Sequence, residues 1–184
     1  MLAIALAGGV VAWIALGRQH ESANPPAKQT AAPVTVPSTS IGAAATPVGP
    51  VAETAGALAT VSRTLKVPIY WAGPSAGFTY ELTQTEAGRV YVRYLPPGVK
   101  VGDPKATYLI VATYPFPNAY KALVGVAKGR QLAVPGGGIA FVDPTYPKSV
   151  HMAFHGVPYQ IEVYDPRPQR SREVALSGAV RPAG

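Results

Sequence analysis

The sequence FTYELTQTEAGRVYVRY, residues 78–94, decides the fold class. Apolar and polar side chains alternate over residues 78–83 and again over residues 90–94, on either side of a turn at residues 86–88. A period of two residues places every second side chain on one face of a β-sheet. The stretch therefore predicts two half-buried strands that pair as an antiparallel hairpin.

Further strands are predicted on both sides of this hairpin. Residues 107–114 are apolar at both alternating positions, which is typical of a central strand. Glycine and proline mark the ends of several others. The remaining predicted strands are residues 67–72, 131–134, 139–142, 149–155 and 157–163.

Three segments have the spacing and the terminal residues of helices. Apolar side chains recur at helical spacing after Pro50, a second helix is expected from Asn118 to Gly129, and a third from Asp165 to Gly178. Runs of strands interrupted by two or three helices predict an α+β fold with a mostly antiparallel sheet. This globular domain is predicted over residues 51–184.

The first 17 residues contain no charged side chain, and Arg18 follows them. A helix of this length spans about 25 Å, and it crosses a hydrocarbon core of about 30 Å if Arg18 extends to the lipid headgroups. We therefore predict a single-pass transmembrane anchor over residues 1–18, with residues 1–17 in contact with the membrane. A cleaved signal peptide and a buried helix are the alternatives.

Residues 19–50 form a predicted disordered linker. The segment is rich in Pro, Ala and Thr and has no apolar periodicity. Its composition suits an exported stalk, although Arg18 and Lys28 would favour the cytoplasmic side by the positive-inside rule. We expect the anchor to hold the domain at the cell membrane, on the extracytoplasmic side.

Composition excludes several classes of site. The chain contains no cysteine, which rules out a disulfide framework, a thiol nucleophile and a cysteine-based zinc site. Its 16 Lys and Arg against 9 Asp and Glu give a net charge of +7, but the basic residues are scattered singly. Scattered charges do not indicate a nucleic-acid partner. We also expect no cofactor and no metal, because the sequence contains none of their motifs.

Ser75 is the first catalytic candidate, because GPSAG at residues 73–77 matches the pattern of a nucleophile elbow. That elbow requires a helix directly after the serine, whereas residues 78–82 predict a strand. We therefore interpret the motif as a β-turn.

Histidines and carboxylates are the other catalytic candidates. His151 and His155 fall on one face of a predicted strand about 13 Å apart, too far to share a metal, and we expect them on the solvent face. Glu81 and Glu162 are expected on the polar faces of their strands. The carboxylates considered as acid–base pairs are Glu81, Glu86, Asp103, Asp143, Glu162 and Glu173.

Two groups of residues are candidates for binding a partner. Three arginines crowd the first half of the last predicted helix, where the helix dipole disfavours cations, so they suit an anionic partner. Aromatic side chains around residue 70 would form a platform for a glycan or a peptide. The candidate partner-binding residues are Arg167, Arg170, Arg172, Tyr70 and Trp71, with Tyr91 as a further aromatic member.

Four short motifs point to a group of proteins: YWAGP at residues 70–74, YELT at 80–83, RYLPPG at 93–98 and VYDP at 163–166. With these motifs the chain resembles single-pass membrane-anchored proteins of high-GC Gram-positive bacteria that have no known activity. The resemblance implies an apolar N-terminus, a low-complexity linker and one domain.

The sequence as a whole favours a non-catalytic binding or interaction module that acts at a bacterial cell envelope. Its expected partner is an envelope glycan or a protein, in addition to the membrane itself. The alternative is an envelope hydrolase that uses Ser75 or a pair of carboxylates.

Overall fold

The structure is a computed structural model that describes residues 48–184. The predicted anchor and residues 19–47 of the predicted linker lie outside the described residues. The described strands are β1 (Val48–Glu53), β2 (Tyr70–Trp71), β3 (Thr79–Gln84), β4 (Val90–Leu95), β5 (Ile110–Pro115), β6 (Leu132–Val134), β7 (Gly138–Phe141), β8 (Ser149–Phe154), β9 (Tyr159–Tyr164) and β10 (Arg181–Pro182). The described helices are α1 (Ala55–Leu65), α2 (Ala119–Ala127) and α3 (Pro168–Leu176). None of these helices is long and apolar enough to cross a membrane.

Eight of the strands form one antiparallel sheet in the order β1-β3-β4-β5-β9-β8-β7-β6. The strands β2 and β10 pair with each other in a separate ribbon. The predicted hairpin is confirmed, because β3 and β4 pair from Thr79 opposite Leu95 to Gln84 opposite Val90. The α+β prediction with a mostly antiparallel sheet is confirmed as well.

The two faces of the large sheet have different partners. The first, called the core face here, carries most of the main hydrophobic core, including Leu82, Val111 and Ile161. Leu58 of α1 and Ala175 of α3 belong to the same core. On the opposite face, called the second face, α2 covers one end of the sheet: Ala119, Leu123 and Ala127 pack with Ile139, Phe141 and Ala153.

The first helix begins later than its spacing predicts. Residues 48–53 instead form β1, which pairs with the edge of β3. α1 starts at Ala55, after Thr54, whose hydroxyl oxygen accepts the Ala57 N–H at 3.1 Å. Pairing with β3 satisfies backbone groups of the segment 48–53, which outweighs its local helical spacing. The described part of the domain therefore begins within the predicted linker.

Candidate functional site

The second face carries a row of residues that crosses five strands. By strand register, Tyr91 lies beside Ala112, Ala112 beside Glu162, Glu162 beside His151, and His151 beside Phe141. Opposed residues in neighbouring strands have Cβ atoms about 5 Å apart, so their side chains meet. Of the titratable residues in this row, Glu162 and His151 are direct neighbours.

On the second face, β3 and β4 carry a buried ion pair. Glu81 and Arg93 lie directly opposite each other, and they are only 1% and 3% exposed. Arg93 donates through Nη1 to Glu81, and through Nη2 to the main-chain oxygens of Asp103 and Lys105 at 2.8 Å each. The second oxygen of Glu81 accepts the Gly102 N–H at 2.6 Å. Glu81 thus lies opposite another charged residue, on the face expected to be polar, but it is buried beneath the loop between β4 and β5.

Glu162 is a second buried carboxylate on this face, held by two hydroxyl groups. Tyr114 donates from its phenol to Oε2 at 2.7 Å, and Ser149 donates from Oγ to Oε1 at 2.6 Å. Burial and the negative charge of Glu162 raise the pKa of the Tyr114 phenol far above its usual value. Glu162 therefore also lies on the expected polar face but is buried there, and its two oxygens already have donors.

His151 lies next to Glu162 and is buried, whereas a solvent-facing histidine was expected. Its Nδ1 is 2.9 Å from the Gln160 amide nitrogen, which assigns the proton of the neutral ring to Nε2. Burial lowers the pKa of His151, against the opposing effects of Glu162 and Asp143. Nε2 has no hydrogen-bond partner within residues 48–184. His155 follows the end of β8 and is exposed, as expected.

The carboxylates do not assemble into a glycosidase-type pair. Glu81 on β3 and Glu162 on β9 are three strand spacings apart, about 14 Å, beyond the range of roughly 5–9.5 Å for such pairs. Asp103 and Asp143 each accept a main-chain N–H two residues further on, at 2.8 Å, which confirms their turn role. Glu86 and Glu173 are exposed. Within the described residues, no three His, Asp or Glu side chains form a metal-binding group.

Ser75 occupies a β-turn, as its sequence context predicted. The Phe78 N–H donates to the Ser75 carbonyl at 3.3 Å, and Gly77 has a φ of +78°, which fits the third position of a type II turn. β3 follows this turn, so the strand-to-helix geometry of a nucleophile elbow is not formed. The main chain of Ser75 is fixed by the phenol of Tyr80, which accepts the Ser75 N–H at 2.7 Å.

The predicted aromatic platform lies inside the protein. Tyr70 and Trp71 are buried members of the main core. The Trp71 ring meets Tyr80 edge-to-face with centroids 5.5 Å apart, and the Tyr70 ring stacks on Phe154 at 5.9 Å. Tyr91 is half-buried on the second face. The sequence could not separate these roles, because aromatic residues serve cores and binding surfaces equally well.

Two of the three candidate arginines meet at a buried carboxylate, Asp165. The Arg167 N–H donates to Asp165 Oδ1 at 2.9 Å, and its Nε lies 3.3 Å from the same oxygen. Arg170 Nε lies 3.2 Å from Asp165 Oδ2. The side chain of Asp165 is 3% exposed, whereas those of Arg167 and Arg170 are 68% and 40% exposed. The carboxylate therefore pairs with both guanidinium groups, through a hydrogen bond to Arg167 and through charge alone to Arg170, whose buried Nε has no hydrogen-bond partner in the described residues.

The sequence missed the role of Asp165 and grouped Arg172 with the other two. Asp165 was expected to cap the last helix, but α3 begins at Pro168 and its N-cap is Arg167. The usable signal was the spacing: the aspartate precedes the two arginines by two and five residues. Arg172 points to another side of α3, where it lines an open depression with Gln169, Glu173, Leu176 and Ser177.

Burial removes more acidic than basic side chains from the surface of the domain. From residue 51 onward the chain has 14 basic and 8 acidic residues. Of the acidic residues Glu81, Glu162 and Asp165 are buried, whereas Arg93 is the one buried basic residue in the described part. The solvent-accessible surface is consequently more positive than the composition indicates.

Comparison of the chain with known protein families, with curated proteins and with solved structures finds no match. Function is therefore inferred from the geometry and the charge of the described residues.

Proposed function

We propose that this chain is a non-catalytic binding module that acts at the bacterial cell envelope and binds an anionic envelope component. Residues 1–18 anchor it in the cytoplasmic membrane, residues 19–50 form the linker, and the α+β domain lies on the extracytoplasmic side. The single observation that carries the proposal is the distribution of charge: three of the eight acidic side chains from residue 51 onward are buried, whereas only one of the 14 basic side chains is.

An exposed excess of positive charge attracts polyanions over distances of about a Debye length, roughly 8–10 Å at physiological ionic strength. The buried carboxylates do not cancel this field at the surface to the extent that the sequence suggests. Glu81 is paired with Arg93, and Asp165 is overlain by Arg167 and Arg170. The packing that removes three carboxylates from solvent therefore also supports the binding of an anion.

The chemistry of the second face supports a binding role over hydrolysis. Both oxygens of Glu162 accept hydrogen bonds from Tyr114 and Ser149, and Glu81 is held by Arg93 and the Gly102 N–H. A carboxylate that is buried and hydrogen-bonded in this way braces the sheet and does not reach a substrate in solvent. The face therefore supplies rigidity to the module.

Location is tested by labelling a single introduced cysteine, because the natural chain has none. In the full chain, Lys121→Cys places a thiol on the exposed side of α2. We expect a membrane-impermeant maleimide to label this variant in intact cells of a Gram-positive host. The matched control is Ala140→Cys at a buried position of β7, which should react only after denaturation. Labelling of Lys121→Cys only after cell lysis would overturn the extracytoplasmic placement.

Binding is tested by co-sedimentation of the full chain, in uncharged detergent micelles, with purified cell-wall fragments. We expect binding at low salt and release at high salt, because surface charges are screened. Fragments from which the anionic polymers have been stripped serve as the control and should not retain the protein. Absence of co-sedimentation, or equal binding to intact and stripped fragments, would contradict the proposed function.

A further inference from the structure

We propose that Arg167 and Arg170, positioned by Asp165, form a binding site for the phosphate group of a phosphodiester. This inference deepens the proposed function, on which its cellular role rests, by naming the site and the chemistry of the anion. The site consists of Arg167 and Arg170, called the arginine pair below, and of Asp165, which positions them.

The arginine pair retains most of its hydrogen-bonding capacity. Each guanidinium contacts Asp165 through Nε, at 3.3 Å for Arg167 and 3.2 Å for Arg170. Within residues 48–184 no hydrogen bond engages either Nη atom of these two residues. Two Nη atoms carry four N–H donors in each guanidinium. The pair therefore presents unused donors that are already directed by a carboxylate at their inner edge.

Side chains supply the hydrogen-bond donors of this site, and the N-terminus of α3 adds few main-chain N–H donors. The main-chain N–H of Arg167 is taken by Asp165. The N–H groups of Arg170 and Ser171 both donate to the Arg167 carbonyl, at 3.0 and 3.3 Å, and Pro168 has no N–H. Few main-chain donors remain at this helix end for an anion, so the guanidinium groups must carry the recognition.

Asp165 provides a fixed charge beneath the two arginines without neutralising the site. Its carboxylate is buried, and its own N–H donates to the Lys148 carbonyl at 3.2 Å, which fixes the main chain beneath the pair. One negative charge under two positive charges leaves a net positive site. Because the two guanidinium groups are held before an anion arrives, less side-chain entropy is lost on binding.

The geometry favours phosphate over carboxylate. The acceptor sites of a carboxylate all lie in one plane, so it suits guanidinium groups that approach in that plane. A phosphodiester offers two charged oxygens and two ester oxygens around a tetrahedral centre, and arginine binds phosphate with paired, charge-assisted hydrogen bonds. The exposure of both side chains also allows a chain of phosphodiesters to pass over the site.

The main test compares two double variants of the full chain that lose the same charge. Arg167→Gln with Arg170→Gln removes the arginine pair, whereas Arg172→Gln with Arg181→Gln removes two exposed arginines elsewhere. The probe is a soluble glycerol phosphate oligomer, and the readout is its dissociation constant. We expect binding at least about tenfold weaker for the first variant, because two charge-assisted contacts are lost, and a much smaller change for the second. Equal losses in the two variants would show unspecific attraction and overturn the site.

Asp165→Asn gives a second test with the opposite electrostatic expectation. The variant raises the net charge by one, so unspecific attraction predicts tighter binding of the oligomer. A positioning role for Asp165 predicts weaker binding, because Nε of both arginines loses its charged partner. Conservation of the fold is checked by the near-ultraviolet circular dichroism spectrum. Tighter binding by a folded Asp165→Asn protein would overturn the positioning role.

Two further readouts distinguish sources of the phosphate and separate this inference from the proposed function. Arg Nε–Hε nuclear magnetic resonance signals should shift at Arg167 and Arg170 on addition of the oligomer. In nanodiscs, shifts with phosphatidylglycerol but not with pure phosphatidylcholine would identify a lipid headgroup as a source. If wall fragments bind but the arginine-pair variant binds them as the control does, the site fails and the proposed function stands. If the oligomer binds at the pair but wall fragments do not, the site stands and the proposed function fails.

Discussion

Glu81 and Asp165 are both buried carboxylates that bind arginine, but they leave their arginines in different states. Arg93, the partner of Glu81, is 3% exposed and uses both Nη atoms within the protein. Arg167 is 68% exposed and uses only Nε and its main chain. The first cluster is closed to solvent and the second is open. The two clusters thus differ in whether guanidinium donors that are unused in the described residues reach solvent.

The same contrast extends to the neighbouring elements. On the closed side, the loop between β4 and β5 lies over the ion pair, and Arg93 also stacks on Tyr108 with its guanidinium 5.1 Å from the ring centroid. On the open side, the described residues that form ion pairs with Asp165 are Arg167 and Arg170, and both remain partly exposed. We expect substitutions on the closed side to change stability, and those on the open side to change binding.

The largest expected effect is that of Arg93→Met, which breaks the closed cluster. Methionine leaves Glu81 buried without a cation, and removal of one partner of a buried pair costs about 3–5 kcal/mol. The free energy of unfolding is measured by denaturant titration. Glu81→Gln with Arg93→Met, which removes both charges, should recover part of the loss. If Arg93→Met lowered the free energy of unfolding by less than Arg167→Gln does, the division into closed and open clusters would be contradicted.

Tyr114→Phe should have the next largest effect. The change removes the hydroxyl that donates to Glu162 at 2.7 Å and leaves one buried carboxylate oxygen without a donor. Hydrogen bonds to charged groups contribute about 1.5–3 kcal/mol, which is the expected loss in the free energy of unfolding. Ser149→Ala tests the other oxygen, and binding of phosphate should be unchanged in both variants. Weaker phosphate binding in either would place the second face in the binding site.

His151 should make the stability of the domain sensitive to acid. Its pKa lies below the ordinary value of 6.5 because burial disfavours the charged ring, so the unfolded chain binds this proton more tightly. The neutral His151 ring therefore stabilises the fold above about pH 6.5, and this stabilisation is lost as the pH falls through the lowered pKa. The free energy of unfolding should change by at most about 1.4 kcal/mol per pH unit in this range. Glu162, Gln160 and Asp143 are the polar groups that face the ring.

The measurement for His151 is the free energy of unfolding of wild type and His151→Gln from neutral to mildly acidic pH. Glutamine does not titrate, so the difference between the two proteins isolates the contribution of this ring. The exposed His155→Gln is the matched control and should retain the wild-type dependence. Parallel curves for wild type and His151→Gln would refute the assignment.

Local pattern predicted most of the fold. The two-residue period of β3 and β4 and the glycine-rich turns are properties of a few neighbouring residues, and the hairpin followed from them. The start of α1 was predicted wrongly because β1 pairs with residues of β3 that are 27 to 36 positions away along the chain, and no local signal reports that pairing. Strand pairing overrode a helical spacing that was real but weak.

The site was predicted less well because burial is not local. Glu162 and His151 occupy the polar parity of their strands, but hydroxyl groups from β5 and β8 and the packing of α2 enclose that face. Asp165 before a proline looked like a helix cap, and only the tertiary structure turns its carboxylate inward beneath two arginines. The arginines themselves were identified because their crowding at a helix start is unusual in sequence.

The smallest effect on stability, and the sharpest test of the comparison, is expected for Arg167→Gln. Its side chain is 68% exposed, so solvent screens its ion pair with Asp165, and such pairs contribute about 0–1 kcal/mol. The free energy of unfolding should therefore fall by less than about 1 kcal/mol. Binding of the glycerol phosphate oligomer should nevertheless weaken clearly, because half of the arginine pair is lost. Arg93→Met should show the reverse: a large loss of stability, with phosphate binding retained under conditions where the protein remains folded. If one substitution changed both quantities in proportion, the open cluster would be a structural element like the closed one, and its free Nη atoms would have no separate role.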